Sequence, residues 1–183
     1  MKTNLVILAA GKATRFKQNK LLYLHLGLPI IEHVFLAVKQ VDFEQVIVVT
    51  QYPKVMQLAQ TYNFHVVENT QVEKGISYSL QLGLQASKPH TQTMFLVGDQ
   101  PYIQASTLQA MIKQSDGNHI LCAAHQANIQ NPIIFPKKYE KELLSLQGDH
   151  GGKQVVHRHM EELILVEVDK KELQDIDTKE DIL

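Results

Sequence analysis

The sequence predicts an α/β fold built on a parallel sheet, on three observations. Short apolar runs recur without polar alternation, at residues 4–8, 45–50 and 91–97, as expected of strands covered on both faces. Strand-like runs and helix-spaced runs alternate four times, the pattern of parallel, right-handed crossovers. The first run stops abruptly in small residues, Ala9-Ala10-Gly11, as a strand does when it ends at a ligand-facing edge.

Each element follows from its own residues. Residues 4–8 read as the first strand, and the Gly11 loop follows at once. Residues 21–26 alternate about His25 and run into Gly27-Leu28-Pro29, predicting a short extended excursion before a helix with Pro29 in its first turn. Ile30, Ile31, Val34, Phe35 and Val38 then share one helical stripe. Residues 45–50 are the second strand, and Pro53 opens a helix carrying Val55, Leu58 and Ala59. Residues 65–67 form a short third strand. A polar connection, 68–74, and Gly75 lead into helical spacing over 76–85 through Ile76, Leu80 and Leu84. The fourth strand, 91–97, ends in Gly98-Asp99-Gln100-Pro101. Ser106 is placed to cap a helix through Leu108, Met111 and Ile112. Residues 119–124 are a fifth strand, and 131–135, entered through Pro132, read as a strand at or near an edge. Residues 138–146 look helical, 148–152 form a loop, 153–159 a helix and 163–168 the last strand, before Asp175-Ile176-Asp177-Thr178 begins a terminal turn or helix.

A chain of 183 residues, 44% of them hydrophobic, can bury one good core, so a single domain, 1–183, is expected. Lys and Arg number 18 against 19 Asp and Glu, a formal net charge of −1, so neither nucleic acid nor a membrane surface is an expected partner. Residues 5–10 are too short to span a bilayer, which takes about 20 residues, and lack the apolar core of a signal peptide, so a cytoplasmic location is expected. A lone Cys122 leaves no internal disulfide and no Cys-based zinc cluster, in keeping with that compartment. Beside Ile120, Leu121 and Ala123 it reads as an inert, buried thiol.

Chemistry concentrates in a few loops. A strand that stops at Leu8, Ala9, Ala10 and Gly11 and then carries Arg15 and Lys20 offers backbone amides and positive charge to an anion. It is not a Walker A loop, because Val6 stands where the first Gly belongs and Ala13 where Ser or Thr should follow the Lys, nor does it hold Gly-x-Gly-x-x-Gly. Two readings stay open. One is a nucleotide triphosphate site in which small residues admit phosphates and Arg15 and Lys20 neutralise them; the other is a solvated basic loop. Asp99 stands at the carboxyl end of the fourth strand, where open α/β sheets bind ligands, and a single carboxylate there suits Mg²⁺. A turn-forming Gly-Asp-x-Pro is the other reading. Asp149 and Asp177 lie in two further acidic loops, each able to reach the same metal or a substrate hydroxyl, or to cap a following helix. In His157-Arg158-His159 the two histidines point to different faces of a helix, which predicts a solvated face rather than a metal tract.

The ordered set of Leu-Ala-Ala-Gly with Thr14-Arg15-Phe16 and Lys20-Leu21-Leu22, Gly27-Leu28-Pro29-Ile30, Gly75-Ile76-Ser77-Tyr78-Ser79-Leu80, Gly98-Asp99-Gln100-Pro101, Gly148-Asp149-x-Gly151 and Asp175-Ile176-Asp177-Thr178 resembles the MobA-like nucleotidyltransferases. Within them it is most similar to the molybdenum cofactor cytidylyltransferases. The resemblance covers essentially the whole chain. It implies a Rossmann-like three-layer sandwich with a mostly parallel central sheet, and transfer of CMP from CTP to the molybdopterin cofactor with release of pyrophosphate. It further implies that Leu8, Ala9, Ala10 and Gly11 line the nucleotide, that Arg15 and Lys20 hold the triphosphate, and that Ser79 lies near the base or ribose. Asp99 would bind Mg²⁺, and Asn131, Pro132, Asp149 and Asp177 would face the second substrate. Ala10 favours cytosine, since guanine users in the family tend to show Leu-Ala-Gly-Gly. A molybdoenzyme or its chaperone is the implied protein partner. The chain departs from the family pattern at Lys17, usually Gly, at Gln130-Asn131-Pro132, often Gly-His-Pro, at Gly152-Lys153, often Ala-Arg, and at Lys179, often Pro. The rival readings are a GTP-, UTP- or sugar-phosphate-specific transferase and a non-catalytic domain that delivers a nucleotide or matured cofactor.

Overall fold

Unbroken apolar character gives the N-terminal run two buried faces, and it forms β1 (Thr3–Ala9) at the centre of the sheet. The computed structural model describes residues 2–11, 19–89 and 91–176; Arg15 and Asp177 lie outside them. After a short 3-10 turn (Lys20–Leu22), β2 (Leu24–His25) and β3 (Leu28–Pro29) make a small hairpin, with Leu26 and Gly27 at positive φ in its turn. The chain continues through α1 (Ile30–Val38), β4 (Gln45–Thr50), α2 (Pro53–Thr61), β5 (His65–Glu68), α3 (Ile76–Ala86), β6 (Gln92–Val97) and α4 (Ala105–Gln114). It closes with β7 (Ile120–His125), β8 (Asn128–Phe135), α5 (Glu140–Leu144), α6 (Lys153–Arg158) and β9 (Leu163–Glu167).

The seven-stranded sheet has the order β5-β4-β1-β6-β8-β7-β9. Every pairing within it is parallel except the two made by β8, so the sheet is mostly parallel, as expected. Alternate β1 side chains feed two cores. Leu5 and Ile7 join Val34 and Phe35 of α1, Val55 of α2 and Leu108 of α4, while Val6 joins Leu80 and Leu84 of α3, Leu143 of α5 and Val155 of α6. Helices therefore cover both faces in three layers. Gly83 lets α3 approach β1 closely, since a Cβ there would lie 2.3 Å from Val6 Cγ1. Cys122 is fully buried and its thiol is pushed up to about 12 by desolvation, in line with an inert role.

Three expectations are corrected. The 131–135 run is not at an edge: it belongs to β8, which lies between β6 and β7. Pro132 is tolerated there because the β7 register jumps from Cys122↔Ile133 to Ala123↔Gln130, leaving Asn131 and Pro132 in a bulge without β7 partners. Ser106 does not cap α4, whose N-cap is Gln104. The carboxylate of Glu172 takes that role from outside, accepting from the Gln104 N–H at 3.2 Å and the Thr107 hydroxyl at 2.7 Å. The 138–146 helix divides into a 3-10 turn (Lys137–Tyr139) and α5. The 157–159 tract is largely solvated, as expected: His157 and Arg158 are exposed, and Arg158 and the half-buried His159 both bind the carboxylate of Glu142, at 3.1 and 2.7 Å. No helix among the described residues is long and apolar enough to cross a membrane.

Candidate active site

The strand order reverses beside β1: β4 and β5 follow on one side, and β6 adjoins on the other. Ligands of open α/β sheets sit at such a reversal, outside the carboxyl ends of the strands. The parallel register pairs Leu8 with Val97, and the Gly98 N–H continues it by donating to the Leu8 carbonyl at 3.0 Å. The Ala9-Ala10-Gly11 loop and the Gly98-Asp99 loop thus leave the sheet side by side.

A cleft of about 480 Å³ opens between them. It brings together Leu8, Ala9, Ala10, Gly11, Lys20, Ser79, Asp99 and Asp149, eight residues singled out by sequence. Asn131 and Pro132 do not line it. Lys20 is set by a short turn whose Leu21 N–H donates to the Asn19 side chain at 3.1 Å and whose Leu21 side chain is buried. Its ammonium lies 2.7 Å from Asp99 Oδ2, with the two side chains 17% and 21% exposed. Asp99 is held in turn by the last described stretch of the chain. The Ile176 N–H donates to its carbonyl at 3.0 Å, and the Gln100 side chain donates to the Leu173 carbonyl at 3.1 Å. Ile176 itself is buried against Ile30 and Tyr23.

The opposite wall comes from Val72 and Glu73, in a 3-10 turn (Val72–Lys74), from Gly75, and from Ile76 and Ser79 in the first turn of α3. Gly75 has φ +82°, and a Cβ on it would fall 2.3 Å from the backbone of Gly148 and 2.7 Å from Asp149 Oδ1. Only glycine lets the 148–149 loop close here, where the Ser77 N–H donates to the Gly148 carbonyl at 3.2 Å. Asp149 is thereby turned into the cleft and does not cap α6, whose N-cap is Gly152. Asp99 and Asp149 both line the cleft, and Mg²⁺ sites commonly use one or two carboxylates alongside substrate phosphates.

Sequence reasoning missed several contributors. Buried Asn69 donates from Nδ2 to Ser79 Oγ at 2.9 Å, fixing that side chain at the cleft and leaving its hydroxyl proton free for another acceptor. Glu73 adds an exposed carboxylate on the α3 side. Thr50, Gln51 and Tyr52 hold the three carbonyls of Ala9, Ala10 and Gly11. Thr50 closes β4 and Gln51 and Tyr52 follow it, and no sequence motif marks them.

A family model described as the MobA-like NTP transferase domain matches residues 5–163. The bifunctional protein GlmU of Staphylococcus haemolyticus is 29% identical over 150 residues, 80% of this chain and 33% of that protein. The chain thus spans about a third of that relative's length. Among solved structures, Rv0371c of Mycobacterium tuberculosis superposes with a TM-score of 0.83 at 24% identity, covering 99% of this chain and 96% of its own. A nucleotidyl transferase from Methanothermobacter gives 0.86 at 23% identity, with 98% and 94% covered. These two likenesses bear on the fold, which they share along nearly its whole length.

Proposed function

The chain belongs to the family of MobA-like NTP transferase domains, and from that premise we propose that it transfers CMP from CTP to the phosphate of the molybdopterin cofactor, releasing pyrophosphate. The observation that carries the reading is the single cleft in which the Ala9-Ala10-Gly11 loop, Lys20 and Asp99 meet. Backbone amides and an ammonium suit a triphosphate, and a carboxylate beside them suits the cation a triphosphate brings.

In this reaction an oxygen of the acceptor phosphate attacks the α-phosphorus of CTP in line, and the bond to pyrophosphate breaks. The nucleophile is already anionic, so no strong general base is required, and positioning with charge neutralisation carries the rate. Lys20, with Arg15, offsets charge on the transferring and leaving phosphates. The Ser79 hydroxyl, oriented by Asn69, donates to the base or ribose. Asp99, joined by Asp149, would hold Mg²⁺, which supplies charge neutralisation between the phosphates when bound. Ala10, where guanine users of the family tend to carry Gly, favours cytosine. Asn131, Pro132 and Asp177 are assigned to the acceptor, and a cytoplasmic molybdoenzyme or its chaperone to receipt of the product.

A thermal-shift panel of CTP, GTP, UTP and ATP with Mg²⁺ tests the nucleotide. A ligand at a hundred times its dissociation constant adds about 2.7 kcal/mol, a readily measured shift. Preferential stabilisation by CTP is expected. A shift with GTP alone overturns the cytosine assignment, and tight cofactor binding with no pyrophosphate from any nucleotide favours a delivery protein instead.

A further inference from the structure

Backbone pairing between β1 and β4 ends at Ala9↔Thr50. Beyond that rung the backbones part, and β4 gives way to α2 at Pro53. Contact between them nevertheless continues. The Thr50 hydroxyl donates to the Ala9 carbonyl at 2.9 Å, the Gln51 amide to the Ala10 carbonyl at 2.7 Å, and the Tyr52 hydroxyl to the Gly11 carbonyl at 2.7 Å. Each bond joins residues 41 apart, the spacing of the Ala9↔Thr50 rung, so side chains extend the register where the backbone cannot. Thr50 Oγ1 also accepts from the Tyr52 N–H at 3.2 Å, fixing the start of the array.

The peptide bond is planar and trans, so a carbonyl drawn one way sends the N–H of the same peptide the other way. With the Ala9 and Ala10 carbonyls held toward β4, the Ala10 and Gly11 N–H groups are turned away from it, in the stretch that lines the cleft. Nothing in the loop's own sequence would hold that orientation, since Ala9, Ala10 and Gly11 have no polar side chains. We propose that Gln51 and Tyr52 are positioning residues for the triphosphate: they do not touch it, but Gln51 holds the Ala10–Gly11 peptide in its anion-binding orientation and Tyr52 anchors the end of the 9–11 loop at the Gly11 carbonyl. The inference rests on the nucleotide reading of the cleft.

Gln51→Met and Tyr52→Phe remove the donors while keeping the shape of the side chains. Titration calorimetry with CTP and with inorganic tripolyphosphate, both with Mg²⁺, compares them with the unaltered protein. Each variant is expected to bind both ligands roughly fivefold more weakly, the scale of one net hydrogen bond, and the double variant more weakly again. The KM for CTP rises in step, and the unfolding temperature of the ligand-free protein changes little because both side chains are half-exposed. Gln51→Glu, which sets an acceptor against the Ala10 carbonyl, is expected to bind more weakly than Gln51→Met. Unchanged affinities in the variants, or losses that merely follow a lowered unfolding temperature, overturn the positioning role and leave the nucleotide site standing. An unaltered protein that binds neither ligand overturns the nucleotide site itself, and the positioning role falls with it.

Discussion

Lys20 Nζ and Asp99 Oδ2 lie 2.7 Å apart in the lining of the cleft, so the cation assigned to the triphosphate neutralises the carboxylate assigned to the metal. Both side chains are largely shielded, which strengthens the pair relative to a surface contact. On the proposed reading, Lys20 and a divalent cation would compete for Asp99 until a triphosphate draws the ammonium away. Lys20→Met is expected to raise Mn²⁺ affinity in the nucleotide-free protein by roughly fivefold, as read by electron paramagnetic resonance. The same variant weakens CTP binding. Reduced Mn²⁺ affinity in Lys20→Met would contradict the competition.

Gly75 joins the two walls of the cleft by leaving room for the Gly148 backbone. Gly75→Ala combines a positive φ with a 2.3 Å clash, at an expected cost of about 2 kcal/mol, or about 6 °C in the midpoint of thermal unfolding. Displacing the 148–149 loop also moves Asp149, so nucleotide affinity falls together with stability. Gly83→Ala serves as the control, because its clash is with Val6 in the core: it should lower stability with little change in affinity, and Val6→Ala in the same chain should restore part of the loss.

Acid is expected to weaken the contacts just before β4. Hydrogen bonds from the ammonium groups of Lys2 and Lys88 hold the Glu44 carboxyl well below its ordinary 4.5, at about 2. A carboxyl depressed on folding contributes stability above its unfolded value, and that contribution is lost as pH falls from about 4.5 toward about 2. Glu44→Gln is therefore expected to unfold at a slightly lower temperature than the unaltered protein at pH 6, with the gap closing near pH 2. Because these groups meet solvent, added salt should shrink the gap at pH 6 as well. Thermal scans at the two pH values, with and without salt, read both effects.

The sheet was legible wherever a strand is apolar on both faces. The bounds read for the second strand are those of β4, and β1 and β6 differ by only a residue or so. Pro132 misled because its bulge depends on which strands flank β8, a property of topology that local sequence does not carry. The same division holds in the cleft. Lys20 and Asp99 each declared a role by residue type and position, but their pairing depends on β1 and β6 being neighbours. Gln51, Tyr52 and Asn69 act on other protein groups rather than on a ligand, so no motif marks them. Asp149 was read with two jobs open, and the room left by Gly75 decided for the cleft.

The central claim is that the cleft transfers a nucleotidyl group, with Asp99 and Lys20 carrying the charge. CTP labelled at the α-phosphate, incubated with Mg²⁺ and molybdopterin cofactor, tests it by following label into the acceptor and unlabelled pyrophosphate into solution. The expected result is equal amounts of labelled acceptor and pyrophosphate, both formed about a hundredfold more slowly by Asp99→Asn and by Lys20→Met, the loss typical of one charge-stabilising contact. Turnover in both variants close to that of the unaltered protein, or pyrophosphate released with no label on any acceptor, would contradict it.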